Sequence, residues 1–270
     1  MKIALIADTH LAANADDFVT NCDRAIDWIN ASEADLVIHL GDVSADGVRD
    51  PAHLRAAAAT LSRLRAPLLA VPGNHDIGEP TGDHEPPFSS ERLTQFRRIF
   101  GADRWLKRVE DWTLIGFDTQ LPGTHEEAEQ TDWLRAAADA CDGPVALFLH
   151  KPWFLTGPDD TAPASRYVPP AALTEIGGAL GDVDLRLVLS GHMHQYRRHI
   201  VHGVEHAWIG STAFLIPERW QETIGEKRVG IALLTLDRDG HSLEDVTPAG
   251  MRALDLADYA DVYPELRARG

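Results

Sequence analysis

The chain has 270 residues, enough for one large domain with a buried core, and its 44% hydrophobic and 25% charged content is ordinary for a globular protein. A formal net charge of −17 argues against non-specific nucleic-acid binding, which needs a basic face, and equally against an anionic membrane surface. Two cysteines, Cys22 and Cys141, make no disulfide framework, and no apolar run approaches the roughly 20 residues that span a bilayer. The opening MKIALIADTH has no signal-peptide pattern, so a cytoplasmic location is expected.

Strand-like and helix-like patterns alternate along the chain. KIALIAD (2–8) reads as a buried strand, and DDFVTNCDRAIDWIN (16–30) carries Phe18, Cys22, Ile26 and Ile29 at helical spacing. DLVIHLGD (35–42) is a second strand. PAHLRAAAATLSRLR (51–65) is an Ala-rich helix with Pro51 in its first turn. PLLAVPGNHD (67–76) reads as a third strand ended by Pro72-Gly73. SERLTQFRRIF (90–100) is a helix with Ser89 or Ser90 as its cap. WTLIGFDT (112–119), EEAEQTDWLRAAADA (126–140) and PVALFLH (144–150) follow as strand, helix and strand. After Pro169-Pro170 a short helix leads to RLVLSGHMHQY (186–196). From Gln195 to about Val246 the pattern is strand-rich, with turn residues between the runs. Early βαβ units followed by hairpins predict a mixed α/β architecture in a single domain, residues 1–270, with a C-terminal tail from about 248 to 270. Two long irregular stretches, 77–90 and 151–167, have the length of binding loops.

Polar residues gather where these strands end. The ends carry Asp8-Thr9-His10, Gly41-Asp42, Gly73-Asn74-His75-Asp76, His150, and Gly191-His192-Met193-His194. Ligands of α/β sheets bind beyond the carboxyl ends of strands, and glycine there brings side chains close to a ligand. On an extended chain His192 and His194, two positions apart, would face one side together, leaving Met193 for the core. Asp, His and Asn without thiolates suit Mn, Fe, Zn, Co or Ni in mixed nitrogen and oxygen coordination. Seven such ligands exceed one ion and suit two, provided one carboxylate bridges.

The ordered set DTH, GD, GNHD, H and GHMH resembles the calcineurin-like metallophosphoesterases, whose pattern is D-x-H, GD, GNH-[D/E], H, GH-x-H; the blocks run from Asp8 to His194. The resemblance implies a four-layer αββα sandwich of two mixed sheets with flanking helices. It implies two divalent transition-metal ions, one taken by Asp8, His10 and His194, the other by Asn74, His150 and His192, with Asp42 bridging. His75 would stay off the metals, beside the phosphate, stabilising the transition state or protonating the leaving oxygen. A hydroxide between the ions would attack in line. Asn74 ligates without adding negative charge, so the centre would remain electropositive within an acidic chain.

The sequence departs from relatives in two places. Many, including the Ser/Thr protein phosphatases, carry an Asp three positions after the bridging Asp; here that position is Ala45, which leaves Asp46, Asp76 or nothing to orient His75. Phosphodiesterase-like members often continue the fourth block as HHPP, where this chain has His150-Lys151-Pro152-Trp153. Lys151 and Arg166 are candidate phosphate contacts, with Asn74 and His75, though either could be a surface residue. His39 reads as a packed histidine behind the site, and His84, His199 and His206 as structural or solvent-facing. The chain most resembles the bacterial cyclic-nucleotide and glycerophosphodiester phosphodiesterase branch, which implies hydrolysis of small-molecule phosphodiesters. The alternative on the same site is a phosphomonoesterase; a nuclease or a non-catalytic binding scaffold stand behind it. The expected partner is a small phosphate ester, with neither nucleic acid nor membrane, and a homo-oligomer is compatible.

Overall fold

The computed structural model describes residues 1–80, 86–160, 165–238 and 240–268. His84 and residues 161–164 of the second long loop lie outside the described residues. In chain order the elements begin with β1 (Lys2–Ile6), α1 (Asp16–Ser32), β2 (Leu36–His39), α2 (Pro51–Leu61), β3 (Leu68–Ala70), the single turn α3 (Asn74–Ile77) and α4 (Ser90–Phe100). They continue with β4 (Trp105–Val109), β5 (Trp112–Gly116), α5 (Glu127–Asp139), β6 (Val145–Leu149), α6 (Pro170–Leu180), β7 (Leu185–Ser190), β8 (Arg197–Val201), β9 (Val204–Trp208), β10 (Ile231–Leu236) and β11 (His241–Val246).

The strands form two sheets, ordered β11-β10-β1-β2-β3 and β4-β5-β6-β7-β9-β8. β1, β2 and β3 are mutually parallel, as are β5, β6, β7 and β9, while β10, β11, β4 and β8 run antiparallel to their neighbours. Both sheets are therefore mixed, as expected. β1 is apolar beyond Lys2 because both its faces are covered. Ile3 and Leu5 pack between the sheets with Leu114, Phe148 and Leu189, while Ala4 and Ile6 pack under α1, α2 and α4 with Ile26, Leu54 and Phe96. On the outer face of the second sheet, Ile115, Leu147 and Leu149 pack with Leu134 of α5 and Ile176 of α6. The result is four layers, helices outside and sheets inside. Each fully buried Leu, Ile or Phe contributes about 1.5–3 kcal/mol relative to exposure.

Local signals set several boundaries. Asp50 caps α2 by accepting from Ala52 N–H, with Pro51 in the first turn, and Ser89 caps α4 by accepting from Glu91 N–H. Two readings change. The third strand, expected to run to Pro72-Gly73, spans only Leu68–Ala70, and Asn74–Ile77 beyond it winds into a helical turn. β4 has no counterpart in the sequence reading because Leu106, Lys107 and Arg108 are all exposed, so this edge strand shows no alternation. The C-terminal tail packs on the domain: Leu254, Val262, Tyr263 and Leu266 share a buried cluster with Ala12, Phe18 and Phe214.

His199 and His206 are cross-strand partners in β8 and β9, with rings stacked at 5.4 Å and Phe154 4.6 Å from His206. Burial, with His199 adding, pushes His206 down to about 4. Below the unfolded value near 6.5 the unfolded chain gains a proton that the folded chain refuses, so stability falls as pH drops from about 6.5 to about 4. His206→Phe is expected to shrink this loss by on the order of 2 kcal/mol, read from thermal unfolding at pH 7 and pH 4.

Candidate metal centre

The carboxyl ends of β1, β2, β3, β6 and β7 converge, and the seven expected ligands come together there. Asp8, His10, Asp42, Asn74, His150 and His194 are buried, and His192 is half-buried. Asp8, His10 and His194 form one group able to hold an ion, with His10 Nε2 3.3 Å from His194 Nε2 and His194 Nε2 3.6 Å from Asp8 Oδ1. Asp42, His150 and His192 form another. In it His150 Nε2 lies 3.0 Å from Asn74 Oδ1, 3.1 Å from His192 Nδ1 and 3.3 Å from Asp42 Oδ2. Asp42 Oδ2 is also 3.8 Å from His10 Nε2, so this carboxylate reaches both groups.

The two histidines of GHMH converge for a different reason from the one expected. β7 ends at Ser190, and His192 and His194 sit in the left-handed region at φ 66° and 52°, not on an extended chain. Asp8, His10 and Asp42 share that conformation, at φ 50°, 43° and 52°. Such backbone costs on the order of 1 kcal/mol per non-glycine residue and concentrates where function requires it. Met193 is buried against Tyr167 and Trp208, as expected.

The motif glycines make room for ligands from other blocks. A Cβ on Gly41 would stand 2.5 Å from the His150 ring, one on Gly73 2.1 Å from Asp42 Oδ1, and one on Gly191 2.7 Å from Asp8 Oδ2. Main-chain donors then fix the carboxylates. Asp8 accepts from His192 N–H, and Asp42 Oδ1 accepts from His75 N–H at 2.9 Å. Asp76 does not orient the His75 ring. Its carboxylate accepts from Val43, Ser44 and Gly73 N–H and from Ser44 Oγ, pinning the GD turn to the GNHD turn. Asp46 is engaged by Arg49. The His75 ring is held instead by Nδ1–H donating to the main-chain carbonyl of Ala45, 3.0 Å away.

The outward nitrogens of the site histidines reveal what the inward ones offer. His150 Nδ1 is 2.8 Å from Leu40 O, His194 Nδ1 3.0 Å from Phe214 O, and His192 Nε2 3.0 Å from Ser165 O. A carbonyl only accepts, so each of these nitrogens carries the proton and the opposite ring nitrogen presents a lone pair. The lone pairs of His150 and His192 then face each other at 3.1 Å. That contact is repulsive unless positive charge lies against them. In the protein alone a proton supplies it. Burial would lower His150, but the charge and hydrogen bond of Asp42, with Asp8 and the Leu40 carbonyl adding, together outweigh it and hold His150 at about 9. Burial also pushes His10 and His192 well below the usual imidazole range and His194 to about 4, so these rings are neutral. Burial raises Asp8 well above the carboxylate range, while Asp42, despite burial, is held well below it by His150 and His75. Neutral rings at His10, His192 and His194, an ionised Asp42, and His150 and Asp8, whose protons a cation would displace, fit divalent cations.

A cavity opens onto the centre, lined by Asn74, His75, His192, Phe214, Trp220 and Tyr263 among others. Lys151 is buried, with Nζ 3.1 Å from Glu79 Oε1, and is not solvated. Arg166 stands at the cavity rim with Nη1 3.7 Å from Glu222 Oε1. Glu79, the carbonyls that hold the imidazoles, and Tyr263 had no signal in the sequence.

Fold and donor set together define a metal-binding αββα phosphoesterase scaffold. The chain belongs to the calcineurin-like phosphoesterase family, whose model matches residues 1–196. It is 28% identical over 208 residues to a probable cyclic nucleotide phosphodiesterase of Synechococcus, covering 72% of this chain and 74% of that protein. It is 31% identical over 172 residues to a glycerophosphodiester phosphodiesterase of Enterobacter lignolyticus, covering 56% of this chain and 57% of that protein. Its fold matches a dimetal phosphatase from Danio rerio with a TM-score of 0.64 at 16% identity, over 92% of this chain and 98% of that one. No helix among the described residues is long and apolar enough to cross a membrane.

Proposed function

We propose that the protein hydrolyses small-molecule phosphodiesters at a centre of two divalent transition-metal ions, drawn from Mn, Fe, Zn, Co and Ni. Asp8, His10 and His194 would hold one ion, Asn74, His150 and His192 the other, and Asp42 both. The observation that carries this reading is the close approach of imidazole nitrogens in each ligand group, His150 Nε2 to His192 Nδ1 and His10 Nε2 to His194 Nε2. The diester preference draws support from the relatives, which are named as phosphodiesterases. When bound, the ions supply Lewis acidity toward the phosphoryl oxygens and lower the pKa of water.

The remaining steps fall to side chains. Asn74 adds no negative charge near an anionic substrate. His75, held through Nδ1 by Ala45 O and lining the cavity, presents Nε2 for hydrogen bonding to the phosphoryl group or for protonating the departing oxygen. The apolar wall of Phe214, Ile216 and Trp220 would seat part of the ester alcohol. A small substrate accords with the net charge of −17, which works against a nucleic-acid polymer. A cytoplasmic location accords with the free thiols of Cys22 and Cys141.

The test compares hydrolysis of a bis-aryl phosphate and a mono-aryl phosphate by the purified protein with Mn, Co, Zn or Ni added. Diester preference is expected; monoester preference would replace this reading with a phosphomonoesterase. Metal bound without turnover of either ester would replace it with a binding scaffold. The ligand division has its own check. His192→Ala and His194→Ala are each expected to lose about one ion per chain, and not the same one, by elemental analysis of protein loaded with two different metals. Loss of the same ion from both would overturn the division.

A further inference from the structure

His10 differs from the other inward-facing histidines in how its outer nitrogen is held. His150, His192, His194 and His75 each meet a main-chain carbonyl. His10 Nδ1 meets the Tyr263 hydroxyl at 2.8 Å. Tyr263 lies 253 residues further along, beyond the stretch matched by the family model, which ends at residue 196. The tyrosine is buried, its ring lies 6.0 Å from that of His10 and 5.8 Å from that of His75, and it lines the cavity with Leu256 and Leu266 of the same segment.

The segment that carries it is anchored, not merely draped. Asn21 grips the Arg252 backbone on both sides, donating to its carbonyl at 2.9 Å and accepting its N–H at 2.8 Å. Leu254 and Leu256 bond to the two sides of Leu215, next to Phe214, whose carbonyl holds His194. The Tyr259 hydroxyl donates to Asp17 Oδ2 at 2.8 Å, and Val262 and Leu266 are buried with Phe18. Tyr263 is thus presented to His10 by a docked structure with contacts of its own.

Resting on the metal-centre reading above, we infer that Tyr263 is a positioning residue for the ion shared by Asp8, His10 and His194, and that the segment from Arg252 to Leu266 serves to present this one side chain. With Nε2, the atom 3.3 Å from His194 Nε2 and 3.8 Å from Asp42 Oδ2, given to the ion, the proton stays on Nδ1 and the hydroxyl oxygen accepts it, which holds the ring in that orientation. Without the hydroxyl the metal-binding form of the imidazole loses the acceptor of its buried Nδ1–H and the contact that orients the ring. Loss of such a partner typically weakens metal binding by about 10- to 100-fold.

The test is metal binding by Tyr263→Phe, which keeps the ring and its packing. Apo-protein is titrated with Mn or Zn by calorimetry, and the bound metal is counted by elemental analysis after dialysis. One of the two ions is expected to bind about 10- to 100-fold more weakly than in the parent, the other unchanged, with excess metal restoring turnover. Tyr259→Phe removes a hydroxyl from the same segment at the Asp17 anchor and is expected to bind both ions as the parent does. Equal affinity for both ions in Tyr263→Phe and parent would overturn the inference. Equal weakening of both ions, or equal weakening in Tyr259→Phe, would also overturn it, by showing that the segment acts through folding alone. A parent that binds two ions but cleaves no phosphodiester would remove the activity reading and leave this one to be decided by the titration. A parent that binds no ion would remove both.

Discussion

Asp42→Asn is expected to lower kcat for a diester by about 10³-fold, in line with the loss of a central electrostatic element in a dry site. Asp42 is the carboxylate within reach of both ligand groups, 3.3 Å from His150 Nε2 and 3.8 Å from His10 Nε2. It is also the group whose charge is best protected, since His150 and His75 hold it ionised against the cost of burial. The asparagine keeps the volume and can still accept from His75 N–H, so the turn that Gly73 allows to approach it should stay in place. What is lost is the negative charge. The measurement is steady-state hydrolysis of a bis-aryl phosphate beside elemental analysis. The expected result is loss of turnover with fewer than two ions retained. Retention of more than about a tenth of the activity with both ions bound would show that no bridge is needed.

His75→Ala is expected to lower kcat by about 10²- to 10⁴-fold while both ions stay bound. The two parts of this prediction answer different questions. His75 lies close enough to His10 and Asp42 to be counted among possible donors, so metal content decides whether it ligates. The size and pattern of the kinetic loss decide what it does for the substrate. A group that protonates the leaving oxygen matters most when that oxygen is a poor leaving group. The loss should therefore be larger for an alkyl diester than for a bis-aryl one. A loss equal for both esters would assign His75 to charge stabilisation instead. Loss of an ion would move it into the ligand set.

Much of this was legible in the sequence because strands announce their ends. Apolar runs closing in Asp8, Asp42, Asn74, His150 and His192 could be placed on one edge of an α/β sandwich from spacing and the family pattern. The helices, with their caps at Asp50 and Ser89, were equally readable. What stayed hidden was carried by the main chain or by distant partners. No side-chain pattern marks Ala45 O as the support of His75, Leu40 O as that of His150, or Tyr263 as that of His10. His192 and His194 do meet at one site, but on left-handed backbone instead of the extended chain their spacing predicts, because such backbone at a histidine has no strong signature in sequence. β4 was invisible because an exposed edge has no buried face to impose a period.

The place of β1 in its sheet also bears on how the molecule is made. β1 lies between β2 and β10, so Lys2–Leu5 must pair with Ala232–Thr235, and His10 must wait for Tyr263. β1 therefore stays unpaired on that side until β10 has been synthesised. Pairing across such a separation is slow, and an unpaired apolar strand is open to wrong partners meanwhile. Co-translational assembly can complete the parallel β5-β6-β7 block early, but not the pocket between Asp8 and Asp42 in its final form. The centre is accordingly expected to take its final form only after Tyr263 has been synthesised.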